Sequence, residues 1–261
     1  MNQLPINYSN LKNCLQVFWP YSAGSENQLL ELALQGVKSF SPTISAIIEE
    51  PILPVLIEDL NYPSEKADRL KILFDAYGSD KAKSNEYHKF YSIVFEQPIE
   101  NIFEIGLGSN NTSVASNMGQ AGRPGASLRS FRDFADNINV FGADVDKGIL
   151  FSDTRIQTRF VNQLDPDSFT ELIDWLPPLD LFIDDGLHSF PANLNSLIFG
   201  LKVVKPGGWI IIEDINPITF PLWQVVAELI TADESYIVKA GTGSLFAIKK
   251  KTGATNEPSS N

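Results

Sequence analysis

Two hydrophobic periodicities divide the chain. Over residues 26–40 apolar positions recur at helical spacing through Leu29, Leu30, Leu32, Ala33 and Val37, which predicts an amphipathic helix. Pro51 and Pro54 interrupt the next apolar stretch, 44–60, so short broken helices are expected there. Ser64 is placed to cap a helix reaching Tyr77, with Ala67, Leu70, Ile72, Leu73 and Phe74 recurring on one side. Gly78-Ser79-Asp80-Lys81 reads as a loop, and 86–95 as a further helix that carries Tyr87, His88 and Tyr91.

From about residue 100 the pattern changes to short apolar runs alternating with helical segments. Strands are expected at 101–106, 139–145, 156–161, 179–185 and 208–213. Helices are expected at 126–135, 168–174, 192–201 and 221–231. Such alternation predicts a parallel sheet covered on both faces. The last two strands, 235–239 and 244–250, flank Ala240-Gly241-Thr242-Gly243, a link short enough for a hairpin and therefore an antiparallel edge. The expected organisation is a helical N-terminal region over 1–97, an α/β unit over 98–251 and a polar, disordered tail over 252–261. No internal repeat is visible.

Composition narrows the class. A chain of 261 residues with 43% hydrophobic content is long enough for one large α/β domain. Its net charge of -12 argues against nucleic acid or an anionic membrane as a main partner, since both demand basic patches. The single cysteine, Cys14, excludes an internal disulfide framework and suits a reducing compartment. No apolar run is long enough to span a bilayer, and no signal-peptide pattern opens the chain. A cytoplasmic enzyme acting on a small molecule is the expectation.

The candidate chemistry begins at Phe103-Glu104-Ile105-Gly106-Leu107-Gly108-Ser109-Asn110, an apolar strand running into a glycine turn. In doubly wound sheets such a turn builds a nucleoside pocket at the carboxyl end of the first strand. The dinucleotide fingerprint requires a third glycine, where this chain has Asn111, and an acid about twenty residues on; Asp144 comes much later. Glu104 beside the turn would repel a pyrophosphate but suits the ammonium of an amino-acid ligand. Asp144, ending the second strand, is placed to accept ribose hydroxyls, and Asn162 and Gln163, after the third, to meet an adenine edge. Gly106, Gly108 and Asn110 complete the expected cofactor set.

The fourth and fifth strands end in Asp184-Asp185-Gly186-Leu187-His188 and Glu213-Asp214. Parallel strands open at the same crevice, so Asp185, Glu213 and Asp214 bring three carboxylates together. Like charges so placed repel unless protons or cations compensate, and oxygen ligands favour a hard divalent ion such as Mg²⁺, or Mn²⁺, as the compensator. His188, with an ordinary pKa of about 6.5, suits a general base beside that ion. Asp184 points away from Asp185 in a regular strand, toward a loop backbone or the cofactor. A metal-dependent hydrolase would use the same carboxylates but leave Glu104 and Asp144 idle. A silent binding or docking module of a synthase and a nicotinamide oxidoreductase are weaker alternatives.

Taken together, Tyr77-Gly78-Ser79-Asp80-Lys81, Phe103–Gly108, Gly122-Arg123-Pro124-Gly125-Ala126-Ser127-Leu128-Arg129, Gly142-Ala143-Asp144-Val145-Asp146, Ile183–His188 and Ile212-Glu213-Asp214 resemble the metal-dependent class I S-adenosylmethionine O-methyltransferases of natural-product pathways. The likeness is to the macrolide-sugar and cephalosporin-pathway types and covers roughly residues 75–250. It implies a Rossmann-like, seven-stranded, mostly parallel sheet with S-adenosylmethionine as methyl donor. It implies Mg²⁺ on Asp185, Glu213 and Asp214, and His188 as base. It also implies a hydroxylated polyketide or sugar acceptor, free or tethered to a carrier protein. The Gly-Ser-Asp-Lys loop and the Tyr87/His88/Tyr91 helix would then fold over the substrate as a lid.

Overall fold

The computed structural model describes residues 26–48, 53–230 and 232–252. Its centre is one nine-stranded sheet. In chain order the strands are β1 (Val55–Leu56), β2 (Asn101–Ile105), β3 (Asn139–Asp144), β4 (Ser152–Asp153), β5 (Ile156–Phe160), β6 (Leu179–Asp184), β7 (Val204–Ile212), β8 (Ala232–Ala240) and β9 (Gly243–Lys250). Across the sheet the order is β1-β8-β9-β7-β6-β2-β3-β5-β4. The seven expected strands form its body. The other two, β1 and β4, have two residues each and extend its edges, β1 parallel to β8 and β4 antiparallel to β5. The C-terminal hairpin forms as expected, with β9 antiparallel to both β7 and β8.

The helices are α1 (Glu26–Ile47), α2 (Ser64–Tyr77), α3 (Tyr87–Val94), α4 (Ala126–Phe134), α5 (Thr170–Ile173), α6 (Phe190–Val203) and α7 (Phe220–Leu229). Four expectations need correction. The first helix does not stop at residue 40 but runs through Pro42 to Ile47, where Ser41 Oγ donates to the Ile218 carbonyl. The stretch after it forms β1 and a 3₁₀ turn (Ile57–Asp59) rather than helices, because Val55 and Leu56 find strand partners in β8. Ser64 is the first helical residue of α2; the cap position is Pro63. Ile72 also faces solvent rather than the core. The tail over 253–261 lies outside the described residues.

Side-chain alternation along the strands feeds two separate cores. On one face Ile102, Val140, Leu181, Ile183, Trp209 and Ile211 pack with Leu70, Phe74, Tyr91, Leu128 and Phe131 of α2, α3 and α4. On the other, Phe103, Ala143, Phe182, Ile210 and Ile212 pack with Leu172, Leu197, Phe199 and Trp223 of α5, α6 and α7. Both faces of each central strand are apolar, as expected of a sheet covered on both sides. The first core includes Ile57, Leu70, Phe74 and Tyr87, so residues 57–97 share a core with the α/β unit. The boundary drawn at residue 97 does not separate two packed bodies among the described residues.

Strand order reverses between β6 and β2. These strands pair in parallel, with Ile105 opposite Asp184, and their chains leave in opposite directions. A crevice opens at such a point. The packing rests on an aromatic set: the Phe131 ring meets Phe74 edge-on at 5.3 Å and Tyr91 at 5.1 Å between centroids. Phe131→Ala should therefore cost about 3–5 kcal/mol, read as a lower urea midpoint with an unchanged slope.

Candidate active site

A cavity of about 530 Å³ opens at the carboxyl ends of β2, β3, β5, β6 and β7. Gly106, Leu107, Gly108, Ser109, Asp144, Asp146, Asn162, Gln163, Asp185, His188 and Asp214 line it, with Ser79, Asp80 and Arg123 along one wall. The segment after Gly108 closes another wall. Instead of entering a helix directly, the chain runs to Gly125 before α4 begins, and Asn111, Val114, Ser116 and Met118 face the cavity. This loop is held by its own hydrogen bonds: Met118 N donates to Ser109 O (2.8 Å), Gly125 N to Leu107 O (2.7 Å) and Asn110 Nδ2 to Gly122 O (2.8 Å).

Gly106 has φ of +93°, a conformation open mainly to glycine. A Cβ on it would sit 2.0 Å from the Asp185 carbonyl oxygen. The bare backbone is needed because the exits of β2 and β6 cross there. The close approach that the glycine permits is made by the protein itself.

Beneath the cavity lies a buried cation. Lys81 is 1% exposed and its Nζ is 2.6 Å from Asp185 Oδ2, 2.6 Å from Glu213 Oε2 and 3.1 Å from Glu104 Oε1. The strand period explains the meeting: Glu104, Asp185 and Glu213 extend the face that carries Ile102, Ile183 and Ile211. Burial alone would lower the lysine's pKa. Asp185, Glu104 and Glu213 outweigh it and hold the ammonium protonated well above the usual range. Burial raises the carboxyl groups against the pull of Lys81, Glu104 to about 7 and Glu213 well above its ordinary value. Protons retained by these raised carboxyl groups thus share with Lys81 the balancing of the cluster's charge.

Two tyrosines of α3 hold the acids from below. Tyr91 donates to Glu213 Oε1, and Tyr87 to Asp214 Oδ1 at 2.6 Å. Burial and the adjacent carboxylates push both phenols far up, so they remain donors. Gly241 and Gly243 of the hairpin make room: a Cβ on Gly243 would lie 2.1 Å from the Tyr87 hydroxyl oxygen. The expected lid is therefore corrected. Tyr87, His88 and Tyr91 are buried in or beside the core and none lines the cavity; of the Gly-Ser-Asp-Lys loop, Ser79 and Asp80 do.

Asp185 Oδ1, Asp214 Oδ2 and His188 Nε2 face one another on the cavity side. The imidazole nitrogen is 4.0 Å from Asp185 Oδ1 and 3.9 Å from Asp214 Oδ2, and one donor atom from each residue lies within 4.8 Å of the others. His188 and Asp214 have φ of +53° and +52°, left-handed values that cost non-glycine residues energy and cluster at functional sites. His188 Nδ1 is buried without a hydrogen-bond partner, so no described neighbour dictates its tautomer. Two carboxylate oxygens and an imidazole suit a divalent cation.

Of the sequence-predicted residues, Gly106, Gly108, Asp144, Asn162, Gln163, Asp185, His188 and Asp214 share this cavity, and Glu213 stands just beneath it. Four placements differ from expectation. Glu104 meets the ammonium of Lys81, and its Oε2 accepts from Ser127 Oγ at 2.8 Å; it does not line the cavity. Glu213 has one oxygen on Lys81 and the other on Tyr91, so it is not free as a ligand. Asp184 turns to the opposite face, accepting from Gln163 Nε2, Asn193 Nδ2 and Gly186 N; the loop-backbone reading holds there. Asn110 ties the loop over 109–122 and faces away.

The remaining cofactor candidates carry structural bonds as well. Gln163 is engaged at both ends of its amide, its Oε1 accepting from Leu187 N. Asn162 Oδ1 accepts from Leu164 N at 3.0 Å. Asp144 accepts from Leu107 N and Asp146 N, and burial raises its pKa against those bonds. Sequence reasoning assigned no role in the site to Asn85, Asp146 or Arg123. Asn85 Nδ2 donates to Asp214 Oδ1 at 3.4 Å, and Asp146 accepts from Ser109 Oγ at 2.5 Å. The available signal for Lys81 was electrostatic: three strand-end acids on one sheet face require a cation, and the Gly-Ser-Asp-Lys loop carries one.

Strand order, crossovers and site position define the class I methyltransferase fold. The chain superimposes on MycE, a methyltransferase of mycinamycin biosynthesis solved with Mg, S-adenosylhomocysteine (SAH) and mycinamycin VI. The TM-score is 0.59 at 18% identity, over 72% of this chain and 54% of that one. In sequence it is related to sugar and macrolide O-methyltransferases of polyketide pathways. It is 27% identical over 151 residues to 8-demethyl-8-alpha-L-rhamnosyl tetracenomycin-C 2'-O-methyltransferase of Streptomyces olivaceus, covering 57% of this chain and 38% of that protein. It is 34% identical over 91 residues to demethylmacrocin O-methyltransferase of Streptomyces fradiae, covering 35% and 23%. The matched part thus spans well under half of these relatives. No family model matches the chain.

Lys81→Met should leave three acids buried without their cation and cost about 3–5 kcal/mol. The companion Lys81→Met/Glu104→Gln should recover part of that loss, measured by urea unfolding. Gly106→Ala should prevent stable folding or lower the melting temperature sharply, since the strained φ alone costs about 1–3 kcal/mol before the backbone overlap is counted.

Proposed function

We propose that this chain carries S-adenosylmethionine-dependent O-methyltransferase activity toward a hydroxyl of a glycosylated natural product, with a divalent cation at the site and His188 as general base. The observation that carries the reading is the convergence of Asp185, Asp214 and His188 on one wall of a cavity whose other end holds the glycine turn and Asp144. The tetracenomycin relative is named as a 2'-O-methyltransferase of a rhamnosyl compound, and MycE was solved with Mg and SAH; both support the assignment.

Asp185 and Asp214 would hold the cation, with Lys81 presenting Asp185 so that Oδ1 faces the cavity. Glu213 contributes by fixing Lys81. When bound, the ion supplies Lewis-acid charge that lowers the pKa of an acceptor hydroxyl, and the donor supplies a methyl carbon on a sulfonium. His188 takes the hydroxyl proton at Nε2, leaving the acceptor oxygen to form the new O–C bond as the S–C bond breaks. Nearby carboxylates stabilise the imidazolium that results. Asp144, with its oxygens already oriented by Leu107 N and Asp146 N, is placed for ribose hydroxyls. The loop over 109–122 walls the cavity, and alignment of bound reactants contributes on the order of 7–11 kcal/mol in well-oriented systems.

The test is transfer of an isotopically labelled methyl group to glycosylated macrolides, with and without EDTA. Transfer should need the divalent cation; full activity in excess chelator refutes its part in the reaction. His188→Ala should lower turnover by roughly 10²–10⁴ while SAH affinity, read by calorimetry, stays near that of the unaltered protein. Asp185→Asn and Asp214→Asn should each weaken Mn²⁺ binding, followed by electron paramagnetic resonance.

A further inference from the structure

Arg123 is a cavity-lining cation that the arrangement above leaves without a role. It is exposed and borders the cavity beside Ser79 and Asp80. Its stem lies against Gly78, the left-handed residue ending α2: a Cβ there would stand 2.9 Å from Arg123 Cδ and 3.3 Å from Nε. Glycine at that point clears the space in which the guanidinium is held over the wall. No described carboxylate pairs with it, whereas the neighbouring arginine Arg132 is ion-paired to both Asp133 and Asp153.

Two lysines also stand at or near the cavity. Lys81 is enclosed by Glu104, Asp185 and Glu213. Lys147 lines the cavity beside Asp146, away from the Ser79–Asp80 wall in sequence, and its Nζ is 4.5 Å from the centroid of the Phe160 ring. The wall formed by Ser79 and Asp80 therefore carries Arg123, a cation with no described carboxylate partner, and one exposed acid, Asp80. Because Lys81 has taken Glu104, an amino-acid moiety entering there must find its partners on this wall.

Resting on the functional reading above, we propose that Arg123 receives the carboxylate of the amino-acid end of the sulfonium nucleoside, with Asp80 facing its ammonium. A guanidinium presents paired N–H donors that match a carboxylate. This makes Arg123 a residue that distinguishes amino-acid-bearing nucleosides from shortened ones.

Calorimetry with three probes on the full chain tests it. SAH carries both charged groups, decarboxylated S-adenosylmethionine keeps the ammonium alone, and 5′-methylthioadenosine has neither. Arg123→Gln should weaken SAH by roughly 10–100-fold, the range for hydrogen bonds to charged groups, and leave the other two unchanged. Arg123→Lys should retain part of the SAH affinity. Equal weakening of all three probes, or no change in any, overturns the assignment while the functional reading stands. A protein with Arg123 intact that binds none of them overturns both.

Discussion

One ammonium ion, that of Lys81, lets three strands end in acids on a single sheet face. Glu104, Asp185 and Glu213 come from β2 and from the exits of β6 and β7, and each would be costly to bury alone. Lys81 joins them into one cluster. By taking Asp185 Oδ2 and one oxygen of Glu213, it also decides which acceptors remain for the cavity. Asp185 Oδ1 and Asp214 Oδ2 are left beside His188. The chemistry of the cavity wall thus follows from how the charge beneath it is shared.

The helices and the hairpin hold that arrangement in place. Tyr87 and Tyr91 stand inside the first core and lift their hydroxyls to Asp214 and Glu213, so hydrophobic packing fixes the height of two carboxylates. The hairpin tip leans on the same region, where Thr242 N donates to the carbonyl of Ser84. Against this framework His188 and Asp214 keep left-handed backbones, which cost about 1–3 kcal/mol each. Strain of that size persists only where neighbours enforce it, and here the neighbours are the tyrosines, Asn85 and the strand register.

Much of the fold was legible because local periodicity carried it. The seven principal strands, the hairpin at Gly241 and six of the seven described helices lie within a few residues of where apolar spacing puts them. The misreadings have a common cause. Val55–Leu56 pairs with a strand far away in sequence, Ile72 keeps helical spacing but faces solvent, and α1 passes through Pro42. For β1 and α1 the deciding partner is remote, and for Ile72 the neighbouring elements leave that side of α2 uncovered. Legibility of the candidate site followed the same line. Strand-end position identified Asp144, Asp185, His188 and Asp214 as cavity residues. It could not show that Glu104 and Glu213 turn inward to a lysine, or that Asp184 serves Gln163 and Asn193 on the other side.

Alternation of side chains along a strand is local, so the chain alone determined that Asp184 and Asp185 diverge and that a glycine turn meets a set of acids. Which acids keep free oxygens depended on an ammonium brought from Lys81, about a hundred residues before Asp185 in the chain. No period or propensity encodes that meeting. It arises only when α2, α3 and the loop between them are packed onto the sheet, because the low dielectric of that contact forces each buried charge to find its partner.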